Sequence, residues 1–228
     1  MSEVVEEAGT SPADEADRYQ GILFVISSPS GGGKGTLIKR LRETVPGVGY
    51  SVSWTTRAPR PGEADGVNYR FVTEEQFDRK RRARGFLEWA VVHGHLYGTT
   101  RAAVKQELTN GRDIILEIDV QGAHVVRAWR KWKKSVVSIF ILPPSFDELR
   151  RRLTARMTER PEELELRLAN AWGEVKQYKH FNYLILNDEV ERAAAQLAAI
   201  VWAERAKRER QEWVARRVLR SFGAPAAR

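Results

Sequence analysis

A glycine-rich turn near the amino terminus carries the first residues that could do chemistry. Residues 28–36 read S-P-S-G-G-G-K-G-T and stand between an apolar segment and a segment with helical spacing. Glycines let backbone N–H groups turn toward an anion, a helix start adds partial positive charge, and a lysine reaches terminal phosphates. The turn therefore predicts a nucleotide phosphate site made by Ser28, Pro29, Ser30, Gly31, Gly32, Gly33, Lys34, Gly35 and Thr36.

This turn departs at two positions from the common P-loop pattern G-x-x-x-x-G-K-[ST]. Ser28 replaces the first glycine, and Gly35 takes the place of the hydroxyl residue, with Thr36 one position later. We therefore expect any contact between Thr36 and Mg²⁺ to be indirect or to run through water. The strand–turn–helix setting favours nucleotide binding over a plain flexible turn.

Two further pairs of charged residues have a spacing that suits chemistry. Arg57 and Arg60 flank Pro59 and could clamp a phosphate dianion with two guanidinium groups, although a surface ion pair is the commoner role. Glu117 and Asp119 lie two apart near the end of an apolar segment, so they point to one side of a strand at its carboxyl end. They could order the water shell of Mg²⁺ or pair with a nearby arginine.

The elements that must position these residues follow from apolar patterning. Short apolar segments predict strands at residues 21–28, 50–56, 68–72, 86–92, 114–119, 136–142 and 183–187. Helical patterns fall at residues 34–45, 74–83, 101–109, 146–179 with an interruption near 158–161, and from 189 onward. We expect Ser145 to cap the helix at 146, with Glu148 completing a capping box. The alternation predicts an α/β fold with a mostly parallel sheet and helices on both faces.

Composition sets limits on the function. The chain has 228 residues and no cysteine, which excludes disulfides, a thiol nucleophile and cysteine metal sites. We expect no membrane helix, because no apolar run reaches the roughly 18 residues that one needs. The acidic first residues do not resemble a signal peptide. A cytoplasmic location is the expectation.

The charge of the chain is uneven. Residues 1–18 hold six acids and one base and predict a disordered tail, whereas residues 203–228 hold eight bases and three acids. The remainder is still near the net charge of +8. A body this basic suggests nucleic acid, a membrane surface or phosphorylated small molecules as partners, and a solvated basic surface explains the same charge.

Several longer strings complete a recognisable pattern. Residues 51–60 read S-V-S-W-T-T-R-A-P-R, then come P-G-E and G-V-N-Y ending at Tyr69, F-L-E-W at 86–89, Y-G-T at 97–99 and L-E-I-D-V-Q-G at 116–122. With the phosphate turn, they resemble the guanylate kinase family, which phosphorylates GMP at the expense of ATP. The resemblance runs from about residue 21 to residue 202.

The resemblance implies a P-loop kinase core of parallel sheet and helices, with two additions. The core would comprise residues 21–52 and 101–202, with a small mixed GMP-binding insertion at 53–100 and a helical lid at about 150–168. An acidic tail, residues 1–20, and a basic helix or tail, residues 203–228, would lie outside it.

The resemblance also assigns the GMP site. Glu88 would read guanine, because a carboxylate accepts hydrogens from the adjacent imino and amino groups that adenine lacks. The hydroxyls of Ser53 and Thr99 would assist it. Asp119 would lie near the metal and the substrate. The GMP phosphate would be held by Arg57, Arg60, Tyr69 and Tyr97.

Three lid arginines, Arg152, Arg156 and Arg167, match the family spacing, while Met157 replaces the usual glycine. Asn187 is expected to touch adenine. The implied cofactor is Mg²⁺, held partly through water by Thr36, Glu117 and Asp119. Charge in the transition state would be neutralised by Lys34, Arg57, Arg152, Arg156 and Arg167.

Two alternatives to an ATP:GMP kinase remain. One is a catalytically inactive guanylate-kinase-like module that binds phosphorylated peptides, and the presence of Lys34, Arg156 and Arg167 argues against it. The other is a nucleic-acid-binding ATPase, suggested by the isoelectric point of 9.9. ATP and GMP are therefore the expected partners, with nucleic acid disfavoured and no indication of an oligomeric state.

Overall fold

The computed structural model of the chain describes residues 19–92, 94–129, 134–155 and 161–223. Within these ranges the strands are β1 (Leu23–Ser27), β2 (Val48–Tyr50), β3 (Trp54–Thr55), β4 (Arg70–Phe71), β5 (Phe86–Val92), β6 (His95–Thr100), β7 (Asp113–Glu117), β8 (Val136–Leu142) and β9 (Tyr183–Leu186). The α-helices are α1 (Lys34–Thr44), α2 (Glu74–Arg82), α3 (Arg101–Thr109), α4 (Val120–Ala128), α5 (Phe146–Ala155), α6 (Pro161–Val175), α7 (Val190–Ala206) and α8 (Arg208–Ser221).

A five-stranded sheet forms the centre of the fold, in the order β2-β7-β1-β8-β9. Every neighbouring pair in it is parallel, and β1 pairs with β7 on one side and with β8 on the other. The carboxyl ends of all five strands therefore lie at one edge. The turn after β1 and the acidic residues at the end of β7 meet there, which is where such sheets bind ligands.

Helices cover both faces of this sheet and make two apolar cores. Phe24 and Ile26 of β1 pack with Leu37 of α1 and Leu197 of α7. Their neighbours Leu23 and Val25 point to the opposite face, with side chains of α3 and α4. A strand buried on both faces must be apolar throughout, which explains the continuous apolar run. The α/β prediction of a mostly parallel sheet between helices is confirmed.

A second, four-stranded sheet is inserted between α1 and α3, in the order β4-β3-β6-β5. It is mixed, since β3 and β4 are parallel while β6 is antiparallel to both β3 and β5. Phe77 of α2 stacks on Phe86 with ring centroids 4.4 Å apart. Gly98 on β6 leaves room for these rings, because a Cβ there would lie 2.9 Å from Phe86.

The structure corrects four details of the sequence prediction. Two strands take the place of the single strand expected at 50–56. The first, β2, belongs to the central sheet, and the second, β3, belongs to the inserted sheet. Strand β6 and helix α4 were not predicted. The strand at 183–187 was expected to be buried, but β9 is an edge strand in which Leu184 and Leu186 are each 48% exposed.

The expected cap at Ser145 is present in part. Its Oγ accepts a hydrogen bond from the backbone N–H of Glu148 at 3.1 Å. The Glu148 carboxylate, however, accepts from the guanidinium groups of Arg151 and Arg152. This carboxylate therefore fixes side chains of α5 on its own helix.

The basic segment near the carboxyl terminus contains α8, which is joined to α7 through a buried acid. Glu204 is 1% exposed and accepts hydrogen bonds from Tyr183, Lys207 and Arg210. Lys207 and Arg210 of this segment therefore have a structural partner in Glu204. None of the helices in the described ranges has the length and apolar composition needed to cross a membrane.

Glu204→Ala should lower the free energy of unfolding by about 1–3 kcal/mol, because it removes the carboxylate that pairs with the poorly exposed guanidinium of Arg210. Urea denaturation measures this difference. Glu209→Ala, at an exposed position of α8, is the matched control. Equal stability of both variants and the parent chain would contradict the structural role of Glu204.

Candidate functional site

A cavity of about 450 Å³ opens between the two sheets and the helix α6. It brings together most of the residues expected from the sequence. Its lining includes Ser28, Pro29, Ser30, Gly31, Gly32, Gly33, Lys34, Gly35, Ser53, Arg57, Arg60, Tyr69, Glu88, Tyr97, Glu117, Asp119 and Arg167.

The glycine turn after β1 forms one end of this cavity. Gly31 and Gly33 have φ values of 83° and 86°, a left-handed conformation that favours glycine. Gly33 is also the N-cap residue of α1, and no side chain caps this helix start. Its first backbone N–H groups are therefore available to an anion.

The end of the turn faces the carboxyl end of β7. Lys34 Nζ lies 4.0 Å from Glu117 Oε1, and the other carboxylate oxygen of Glu117 accepts a hydrogen bond from Tyr50 at 3.0 Å. Asp119 has a different role, since its Oδ1 accepts from the backbone N–H of Gly122 at 2.9 Å and so caps α4. Glu117 is thus the acid next to the cation of the turn.

The carboxylates of Glu117 and Asp119 fit a hydrated Mg²⁺ that arrives with a nucleotide. In the described part of the chain, no group of three or more His, Cys, Asp or Glu residues could hold a metal by itself. Mg²⁺ commonly keeps several waters and uses one or two carboxylates together with phosphate oxygens. Glu117 and Asp119 offer such carboxylates, whereas Thr36 is exposed on the first turn of α1.

The phosphate end of the predicted GMP site is a compact cluster. Arg57 Nε donates to the Tyr97 hydroxyl at 3.2 Å, and its Cζ lies 5.4 Å from the centroid of the Tyr69 ring. The Tyr69 and Tyr97 rings are 5.8 Å apart. Burial raises the pKa of Tyr69 to about 12, so its hydroxyl keeps a proton to donate. Arg60 is exposed beside this cluster.

Glu63 joins both arginines and was missed by the sequence analysis. Its Oε1 accepts from Arg57 Nη2 at 2.9 Å, and its Oε2 accepts from the backbone N–H of Arg60 at 2.8 Å. One carboxylate thus fixes the guanidinium of Arg57 and the backbone at Arg60. The signal was present in the string P-G-E, which places this acid three residues after Arg60.

The base end of the site is built around a buried acid. Glu88 on β5 is 4% exposed and lies opposite Thr99 on β6. Ser53 Oγ and Thr99 Oγ1 are 3.5 Å apart. Burial raises the pKa of Glu88 to about 7, the charge of Asp119 adds to this, and hydrogen bonds with Thr99 oppose it. The carboxyl group is therefore partly protonated near neutral pH.

Helix α6 contacts the glycine turn through two side chains. Arg167 Nη1 donates to Ser30 Oγ at 3.4 Å, while Glu174 Oε2 accepts from the backbone N–H of Ser30 at 3.2 Å. The two residues are seven apart, so they lie on one face of the helix. Glu174 was not predicted, and its spacing from Arg167 is the signal that could have found it. Burial raises its pKa, while Lys34 and the Ser30 contact oppose the shift.

Two other predicted residues lie behind the turn. Arg152 donates to Glu148 at 2.8 Å and to the carbonyl of Asn187 at 2.9 Å. Asn187 is 2% exposed, and its Nδ2 donates to the carbonyl of Gly32 at 2.8 Å. Asn187 therefore supports the turn, and its contact with adenine stays a prediction. Arg156 and Met157 lie outside the described residues.

Known proteins are similar to this chain. The family model for guanylate kinase matches residues 20–204. The guanylate kinases of Symbiobacterium thermophilum and Alkalilimnicola ehrlichii are 46% and 48% identical to this chain over 191 and 202 residues. These alignments cover 84% and 89% of this chain, and 89% and 98% of the two relatives. This chain belongs to the guanylate kinase family.

A solved guanylate kinase structure supports the same conclusion at the level of the fold. The crystal structure of guanylate kinase from Anaplasma phagocytophilum is 35% identical, with a TM-score of 0.70. The superposition covers 86% of this chain and 95% of that one. The family resemblance inferred from the sequence is confirmed.

We expect Glu63→Ala to raise the KM for GMP about 10-fold while changing the KM for ATP less than about 2-fold. The reason is that two charge-assisted hydrogen bonds hold the Arg57–Arg60 pair through Glu63. Steady-state titration of each substrate measures the effect.

Glu75→Ala is the matched control, since Glu75 is an exposed acid on α2 of the same insertion. Equal increases in both KM values, or no increase in either, would show that Glu63 does not position the clamp.

Proposed function

We propose that this chain is an ATP:GMP phosphotransferase that transfers the γ-phosphoryl group of MgATP to GMP. The products are ADP and GDP, and the reaction serves purine nucleotide metabolism and GMP recycling. The observation that carries this proposal is one cavity with a glycine phosphate turn at one end and the buried Glu88 with the Arg57 clamp at the other. Membership of the guanylate kinase family supports it.

The three-part organisation expected from the sequence is part of the proposal. The core comprises residues 21–52 and 101–202, the GMP-binding insertion residues 53–100, and the lid residues at about 150–168. The acidic segment 1–20 and the basic segment 203–228 flank this unit, and the location is cytoplasmic. The separate inserted sheet and the contacts of α6 with the turn support these boundaries.

Guanine recognition rests on hydrogen-bond complementarity. The Glu88 carboxylate accepts the adjacent imino and amino hydrogens of guanine, while the hydroxyls of Ser53 and Thr99 serve its carbonyl edge. Adenine would direct a lone pair at the carboxylate, leaving a buried charge unsatisfied. Such a mismatch costs roughly 1–3 kcal/mol, or about 10- to 100-fold in selectivity per contact.

The mechanism requires position and positive charge rather than a base. The attacking oxygen belongs to a phosphate that is already anionic, so no proton has to be removed from it. Arg57, Arg60, Tyr69 and Tyr97 hold that phosphate, and Lys34 with the N–H groups of the turn holds the ATP phosphates. Arg152, Arg156 and Arg167 neutralise charge that spreads in the loose transition state, and the contact of Arg167 with Ser30 in the turn supports its part in this.

Glu117 and Asp119, with Thr36 through water, would hold Mg²⁺ when MgATP binds. The ion would neutralise negative charge on the ATP phosphates. The carboxylate of Glu117 already lies beside Lys34, so the two protein charges are balanced before the nucleotide arrives.

The catalytically inactive binding module is one of the two alternative functions. Loss of the phosphate turn or of the lid arginine would favour it, yet Lys34 and Arg167 both line the cavity. The curated relatives are guanylate kinases, and nothing among them favours an inactive module.

A coupled assay of ADP release tests the proposed function directly. The purified chain is supplied with MgATP and with GMP, AMP, CMP, RNA or no acceptor. We expect rapid turnover with GMP alone. Turnover without an acceptor or only with RNA would indicate an ATPase, and no turnover with any acceptor would support a binding module.

Lys34→Ala should reduce kcat by at least about 100-fold without unfolding the chain, since it removes the cation of the phosphate turn. The same ADP-release assay, with circular dichroism to check the fold, measures this. Lys39→Ala, at an exposed position of α1, is the control. Near-normal turnover of folded Lys34→Ala would refute the assigned role.

The affinity for GMP should depend on pH through Glu88. The carboxylate must be ionised to accept two hydrogens, and its pKa in the empty protein is about 7. Below pH 7 a proton must leave Glu88 before GMP binds. The Kd for GMP should therefore rise about 10-fold for each unit by which the pH is lowered. Calorimetry from about pH 5.5 to about pH 8.5 measures this slope.

Glu88→Gln is the control, because the GMP phosphate also titrates near pH ~6 and weakens binding in both proteins. The parent chain should lose affinity more steeply than Glu88→Gln as the pH falls. Parallel slopes for the two proteins would mean that ionisation of Glu88 is not linked to GMP binding.

A further inference from the structure

The last residue of the L-E-I-D-V-Q-G string is Gly122, and in the site described above only its backbone N–H has a role, as the donor to Asp119. It is buried in the first turn of α4. Its backbone conformation is an ordinary helical one, because it is not among the glycines with a positive φ. Backbone strain therefore gives no reason for glycine here, and alanine favours a helix more strongly.

The reason for glycine lies in the neighbouring side chain. A Cβ built on Gly122 would stand 2.6 Å from Glu88 Oε2 and 3.2 Å from Glu88 Cδ. Real Cβ atoms do not approach other atoms so closely, so any side chain at position 122 displaces this carboxylate. The clash involves the end of a flexible side chain, so rotation of Glu88 relieves it with little effect on the fold.

The Glu88 side chain has little space for another position that keeps its carboxylate at the base end of the cavity. It is 4% exposed, and it lies between Thr99 on one side and the start of α4 on the other. The Asp119 carboxylate, 3.3 Å from the same built Cβ, caps α4 through Gly122 N–H and cannot shift without breaking that cap. The missing side chain at 122 is thus what leaves space for the carboxylate in its observed position.

We infer that Gly122 is a positioning residue for guanine specificity. Because Gly122 has no Cβ, this point of α4 leaves the space that the Glu88 carboxylate occupies at the base end of the cavity. The inference rests on the proposed reading of guanine by Glu88. It adds a determinant on the central core to a base pocket otherwise built from the inserted sheet, and so links the two sheets at the point of recognition.

Gly122→Ala tests this inference. We expect kcat/KM for GMP to fall about 10- to 100-fold, because the displaced carboxylate loses one or two contacts with the base. The KM for ATP should change less than about 2-fold, and the preference for GMP over AMP should narrow. The midpoint of urea unfolding should be unchanged or higher, which a merely structural role would not produce.

Gly173→Ala is the matched control. Gly173 is also a helical glycine, but a Cβ on it would meet nothing within 4 Å. Like Gly122→Ala, this variant should have an unchanged or higher midpoint of urea unfolding. Unlike Gly122→Ala, it should have unchanged KM values for both substrates.

The double variant Glu88→Ala/Gly122→Ala separates the inference from the function on which it rests. If Gly122 acts through Glu88, the second substitution adds nothing once the carboxylate is absent. Should Glu88→Ala alone leave GMP binding unchanged, guanine reading by Glu88 is wrong.

Should Glu88→Ala weaken GMP binding while Gly122→Ala does not, the inference about Gly122 is wrong. An equal, additive loss from Gly122→Ala in the Glu88→Ala background would also overturn it, as would a parallel loss of ATP affinity.

Discussion

The burial of one carboxylate, Glu88, is the constraint on which the site depends. A charge with 4% exposure is unfavourable in the empty protein, and the pKa of about 7 expresses that cost. In the proposed function, the two adjacent N–H donors of guanine would supply partners for this buried carboxylate. The inserted sheet holds this acid: β5 carries it, β6 supplies Thr99 beside it, and Gly98 leaves room for the rings of Phe77 and Phe86.

Acids hold two cations and one backbone donor of the site in this structure. Glu63 fixes Arg57, Glu117 lies beside Lys34, and Glu174 occupies the backbone donor of Ser30. Each contact keeps a group of the proposed phosphate sites in a defined position. The site is thus preorganised by local negative charge within a basic protein, which favours catalysis by position and electrostatics.

Much of the fold could be predicted from the sequence, and the reasons for the failures are physical. The run L-F-V-I-S of β1 must be buried on both faces, so its place in a covered parallel sheet follows from composition. The apolar pattern at 50–56 gives no sign that its halves join different sheets. Strand β6 reads H-L-Y-G-T-T, with no alternation to reveal it. The roles of Glu63, Glu174 and Gly122 depend on which surfaces meet after folding, and the contact of Glu174 with Ser30 spans 144 residues of sequence.

The most direct test of the account is the ionisation state of Glu88 with and without GMP. Carbon-detected NMR of glutamate-labelled protein, with Glu88→Gln to assign the signal, follows the Glu88 carboxyl carbon through a pH titration. The account predicts a midpoint near 7 for the empty protein and a midpoint lower by at least about one unit with GMP bound, while AMP leaves it unchanged. An ordinary glutamate midpoint in the empty protein, or the same midpoint with and without GMP, would contradict the central claim.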